Sequence, residues 1–156
     1  MKNDEIQVRC ALQIAKPVEE VFDAIIDPEK MKNYWVSKST GRIERGKRLT
    51  WSFPEFDFTF PVDIQEVTEN KYISWKWDMG KTVLLVEITF SEFEGDTVVT
   101  ITEKTVEGPE PGIDWLKNNT EGWANFLASL KAYVEYGINL RKKAWEFRRA
   151  EFAEMK

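Results

Sequence analysis

The chain contains no histidine and a single cysteine, Cys10. Without histidine there is no Ser–His or Cys–His catalysis, no histidine-ligated zinc and no ordinary proton shuttle near neutral pH. A lone cysteine excludes an internal disulfide and a multi-cysteine metal site. Any chemistry must therefore rest on carboxylates, lysines, tyrosines or a bound group, and the residues imply no cofactor and no metal. Long apolar runs are also missing. The longest, Val83 to Val86, is far too short to span a bilayer, so no membrane partner is expected. The opening MKNDEIQV lacks the apolar core of a secretion signal, and a cytoplasmic protein is the expectation. Positive charge is in deficit, with a net charge of −5, which argues against a nucleic-acid partner.

What is present describes an ordinary globule, 42% hydrophobic and 31% charged over 156 residues. That length predicts one domain, able to bury roughly two thirds of its unfolded surface. The clearest pattern is Glu121 to Gly137, EGWANFLASLKAYVEYG. On a helical wheel Trp123, Phe126, Leu127, Leu130, Val134, Gly137 and Ile138 share one side, a stripe wide enough to face a core. The start of this helix is open: Ile113, Asp114 and Leu116 could belong to it, or Asn119 and Thr120 could cap it.

Upstream, Ile6, Val8, Cys10, Leu12 and Ile14 alternate with Gln7, Arg9, Ala11 and Gln13 and predict a half-buried strand, with Cys10 as a small core residue. Pro17 and Pro28 each suit the first position of a short helix, the second capped by Asp27 and running towards Tyr34 and Trp35. From about Gly41 to Glu103 the pattern is β throughout. A weak strand is expected around Arg42 to Glu44, followed by strands through Leu49–Phe53, Phe58–Ile64, Ile73–Trp77, Leu84–Phe90 and Val98–Thr102. Pro61 predicts an edge strand or a bulge, and Glu94–Gly95–Asp96 a hairpin turn. Tyr72 and Asp63 point away from the apolar faces of their strands and are read as surface residues.

This order resembles the START-like helix-grip superfamily, and within it the branch of activator of heat-shock protein ATPase homologues. IAKPVEEVFDAIIDPEKMKNYW, residues 14–35, is similar to that branch's opening. GWANFLASLKAYVE, residues 122–135, is similar to its Gly-Trp-x3-Leu-x2-Leu-Lys signature. The resemblance implies an α+β helix-grip fold: a curved antiparallel sheet of six to seven strands around a long C-terminal helix, with two short helices after the first strand. Residues 1–156 would form a single START-like domain, with 141–156 a helical C-terminal extension. Relatives often carry a histidine near Glu103, which this chain lacks.

The resemblance also implies a pocket between sheet and helix for a hydrophobic small molecule. Its candidate lining is Trp51, Phe53, Phe58, Phe60, Trp75, Trp77 and Phe90 from the sheet, with Trp123, Phe126 and Leu130 from the helix. For any one of these rings, filling the core is the favoured reading. Glu103 is the polar candidate. Period two sends it inward, where it would bind a ligand or pair with Arg141, unless the strand ends first and it meets solvent, which is the expectation favoured here. The alternatives to a binding protein are a polyketide cyclase-like enzyme with Glu103 as its base, or a chaperone ATPase accessory protein. The missing histidine weighs against an enzyme. In the extension, Trp145 and Phe152 either dock on the chain's own sheet edge or form a homodimer contact. Removal of residues beyond Leu140 is expected to leave the domain folded and its pocket unchanged.

Overall fold

The computed structural model describes residues 6–78 and 80–154, with side chains through Glu151. Seven strands form one antiparallel sheet in the order β1-β7-β6-β5-β4-β3-β2. They are β1 Gln7–Ile14, β2 Lys38–Ser39, β3 Arg48–Ser52, β4 Thr59–Thr68, β5 Tyr72–Asp78, β6 Val83–Phe93 and β7 Asp96–Glu107. The helices are α1 Val18–Ile26, α2 Pro28–Met31, α3 Ile113–Tyr136 and α4 Glu146–Glu154. Among the described residues no helix is long and apolar enough to cross a membrane.

Local chemistry accounts for the connections. Glu94 and Gly95 both have positive φ, 50° and 87°, and the flanking Phe93 and Asp96 pair directly. Two consecutive positive φ values define the tight turn whose twist suits a two-residue hairpin loop. Asp27 accepts a hydrogen bond from the Glu29 N–H at 2.9 Å, capping α2 with Pro28 in its first turn. Gly108, at φ +85°, lies so close to the connection between β5 and β6 that a Cβ there would sit 2.0 Å from the Lys81 carbonyl oxygen. Only glycine tolerates both the approach and the dihedral.

Three expectations are corrected. Residues 42–44 are not a strand; the short strand is β2 at Lys38–Ser39, and Ile43 instead turns into the core with its N–H on the Ile26 carbonyl at 3.1 Å. β4 lies between β3 and β5 and is no edge strand, and its register shift against β5 falls between Ile64 and Val67, not at Pro61; pairing with β5 begins at Val62, so Pro61 faces only β3 and its missing N–H disturbs no ladder. The long helix ends at Tyr136, because Gly137 adopts the left-handed conformation at φ 67°. The Gly137 N–H closes on the Tyr133 carbonyl at 2.9 Å. Ile138 is consequently half exposed and not part of the stripe.

α3 is tied to the edge strand β1. Ala15 N–H donates to Glu135 Oε2 at 2.7 Å, Lys131 Nζ donates to the Gln13 carbonyl at 2.8 Å, and Cys10 Sγ lies 3.7 Å from the Thr120 carbonyl. α1 and α2 close one end, where the buried Tyr34 hydroxyl donates to the Ala24 carbonyl at 2.8 Å and its ring packs on Phe126 and Tyr133. With the helix held to one margin of a sheet that curls around it, the opposite margin, β3 to β5, is where space is left.

Candidate functional site: an aromatic chamber beside a buried carboxylate

The space is a chamber of about 280 Å³ between the first half of α3 and the tip of the β3–β4 hairpin. The sheet side supplies Phe53, Phe60 and Trp77, and the hairpin loop adds Glu55 and Phe56. The helix side supplies Asn118, Asn119, Gly122, Trp123 and Phe126, while Trp35 and Arg141 complete the wall. Phe53, Phe56, Phe58 and Phe60 form their own cluster, with neighbouring ring centroids 5.1–6.3 Å apart. Edge-to-face geometry dominates there, as the ring quadrupole favours.

Glu103 stands behind this wall. β7 continues past it to Glu107, and the residue is 0% exposed, so the solvent-exposed strand end is corrected to a buried carboxylate. Its Oε2 accepts from Trp77 Nε1 at 3.0 Å; its Oε1 accepts from Trp123 Nε1 at 3.0 Å and from Asn119 Nδ2 at 2.8 Å. Three elements thus converge on one carboxyl group. Burial pushes its pKa above the ordinary carboxylate value, while the donors from Asn119, Trp123 and Trp77 oppose that rise. It does not pair with Arg141, whose Nη2 bonds Glu55.

The candidate lining residues separate into groups. Phe53, Phe60, Trp77, Trp123 and Phe126 are on the chamber wall. Trp51, Trp75 and Leu130, each 0% exposed, lie in the closed core with Phe90, which packs edge-on to Phe22 at 5.3 Å. Phe58 precedes β4, which begins at Thr59, and is 50% exposed, since strand alternation does not extend into the hairpin loop. Glu103 positions the wall without forming it. Sequence reasoning missed Trp35, Glu55, Phe56, Asn118, Asn119, Gly122 and Arg141 as lining. Asn119 was visible only as a helix cap; it lies one and a half turns inside α3, with its amide spent on Glu103. Tyr72 is half buried, bonded to Glu87, and Asp63 pairs with Arg48 at 3.2 Å on the sheet's outer side. Among the described residues no cluster of carboxylates and Cys10 could hold a metal ion.

The segment beyond α3 folds back over the chamber. Asn139 Oδ1 accepts from the N–H groups of Arg141 and Lys142 at 2.9 and 3.0 Å, turning the chain. Arg141 reaches Glu55 and lies 5.5 Å from the centroid of Phe53; Arg149 reaches the Pro54 carbonyl, and Arg148 reaches Glu121 at 2.9 Å. Trp145 is half buried against its own chain with the Arg148 guanidinium 5.1 Å above it. The Phe152 side chain lies outside the described ones. Because Arg141 is part of the wall, cutting the chain after Leu140 would open the chamber, contrary to the expectation of an unchanged pocket.

A curved antiparallel sheet gripping one long helix, with a chamber between them, defines the START-like helix-grip class. Within it, the chain belongs to the family described as Activator of Hsp90 ATPase homolog 1-like protein, whose model matches residues 15–135. It is similar to protein SSP2350 from Staphylococcus saprophyticus, at 35% identity over 86% of this chain and 96% of that one, with a TM-score of 0.76. It is also similar to DynU16, a protein of the dynemicin biosynthetic locus, at 20% identity and a TM-score of 0.77, covering 86% of this chain but 49% of that one. A third likeness is the Aha1 dimer from Colwellia psychrerythraea, at 20% identity over 85% of this chain and 98% of that one, with a TM-score of 0.72. The last two show the fold alone. No curated protein matches the chain.

Proposed function

We propose that this chain is a cytoplasmic, single-domain small-molecule binding protein that holds an apolar or aromatic ligand between sheet and helix. The observation that carries the reading is the chamber of about 280 Å³ whose two tryptophan walls are locked by one buried carboxylate. Apolar walls with a few fixed polar groups are what small-ligand sites share. Holding is favoured over turnover because Glu103 is sealed behind Trp77, Trp123 and Asn119, where a substrate would not reach it.

The test uses native mass spectrometry of freshly purified protein and titration with the uncharged fluorophore N-phenyl-1-naphthylamine. Gly122 lines the chamber, and a Cβ added there meets nothing within 4 Å. Gly122→Leu should therefore fill the space and abolish binding. Failure of the fluorophore to bind, or indifference to that substitution, would sink the reading. A chaperone-accessory role is the second reading, favoured by family membership; a pull-down showing neither binding nor stimulation of a heat-shock ATPase disposes of it. Self-association through Trp145 and Phe152 is favoured by the dimeric Colwellia relative. A sedimentation coefficient of a monomer at all concentrations rules it out.

A further inference from the structure

We infer that the mouth of the chamber is an anion site, so that the ligand is an organic acid: its apolar body lies among the aromatic rings and its acid group meets Arg141. The inference rests on the binding reading above and names the ligand's chemical class. A second cavity of about 410 Å³ adjoins the chamber, sharing Trp35, Glu55 and Arg141 with it. Lys32, Arg141, Lys142, Lys143 and Arg149 bring five cations to that outer cavity, against two carboxylates. In a chain of net charge −5 this is a local reversal of sign.

Arg141 is the built element among these cations. Its side chain is mostly buried, Glu55 takes one of its terminal nitrogens, and its Nε is buried with no acceptor. Among the described residues it is the one charged group with an unpaired buried nitrogen. The guanidinium that lines both cavities carries its charge to the mouth, where a carboxylate, sulfonate or phosphate oxygen would meet it as a charge-assisted partner. The opposite end has the opposite sign. Glu103 is buried with three neutral donors and, among the described residues, no cation, so an acid group would be repelled from the deep end. The polarity from inside to outside thus orients an amphiphilic acid with its charge outward. The residues matched to the family end at 135, so the segment that supplies Arg141 lies beyond them.

The experiment compares 1-anilinonaphthalene-8-sulfonate with N-phenyl-1-naphthylamine, which has the same rings without the sulfonate. The native protein should prefer the sulfonate by about tenfold, the size of one charge-assisted hydrogen bond. Arg141→Gln should remove that preference, and Gly122→Leu should block both probes. Equal affinities, a preference that survives Arg141→Gln, or sulfonate binding that survives Gly122→Leu each overturns the anion site. In the first two cases the apolar binding reading stands; if neither probe binds, both fall. Should circular dichroism show Arg141→Gln unfolded, the double variant Lys142→Gln/Lys143→Gln, at exposed positions, takes its place. It should lower the preference by about two- to threefold, and an unchanged preference overturns the proposal.

Discussion

Two pairs of tryptophans, made of the same side chain and close in space, are held in different ways. Trp51 and Trp75 sit in the closed core with ring centroids 5.2 Å apart, fully buried, and their indole N–H groups have no acceptor. Trp77 and Trp123, 6.3 Å apart, stand on the chamber wall, and both N–H groups end on Glu103. The first pair is fixed by contact on every side, where dispersion and apolar burial suffice. The second pair has empty space on one side. Packing cannot choose its orientation, and directional bonds to a charged acceptor do so instead. A wall that borders a cavity needs a scaffold of this kind; a core does not.

The comparison breaks first under large-to-small substitution. Trp75→Ala should cost about 3–5 kcal/mol in urea denaturation, the usual range for emptying a packed aromatic site. Trp77→Ala should cost distinctly less, because that ring already faces open space. Equal costs would erase the distinction. Next comes Glu103→Leu, which leaves two indoles and one amide without an acceptor and should lose about 3 kcal/mol or more. Glu103→Gln should cost about 1–2 kcal/mol, since one oxygen still accepts while its NH₂ must face a donor. If the leucine variant proves as stable as the native protein, the carboxylate does not hold the wall.

The pH dependence separates the same carboxylate from one on the surface. Burial raises the folded pKa of Glu103 above the ordinary value of about 4.3. The folded state therefore binds the proton more readily, and this group's contribution is greatest below the unfolded pKa. It falls as pH rises from there through the folded pKa, and is constant above it. Asp23 behaves oppositely: hydrogen bonding from Lys30, helped by Arg42, holds its pKa below the ordinary range despite partial burial. Its contribution is present above the unfolded pKa and is lost as pH falls through the folded one. The difference in unfolding free energy between native protein and Glu103→Gln should accordingly decline with rising pH from about pH 4. A difference that stays flat or grows refutes the assignment. The smallest effect is expected at Gly122→Leu, which should raise stability by about 0.5–1 kcal/mol on helix propensity alone. Lost stability there would mean that the chamber is closed in solution.

Much of the fold was legible because its causes are local. Alternation in Ile73, Trp75 and Trp77 places three side chains on one face whatever lies opposite. Glu94–Gly95 demands a turn with positive φ, and the 3.6-residue stripe of α3 declares its buried side. Gly137 was placed in that stripe, but a wheel drawn through it extends a pattern that the backbone ends there in the left-handed conformation. Period two gives the face of a strand residue and says nothing of its depth. Trp75 and Trp77 are two residues apart on one strand, yet one is core and the other wall, because α3 is fastened to β1 and leaves its gap over β3 to β5. The surroundings of Glu103 come from 16, 20 and 26 residues away, at Asn119, Trp123 and Trp77. Arg141 reaches Glu55 across 86 residues. Within a strand or helix the sequence by itself determined the inward face; tertiary structure alone decided where each element ends, which leaves Phe58 and Ile138 outside and Glu103 inside, and which residues meet each other or a void, since packing depth depends on where the helix crosses the sheet.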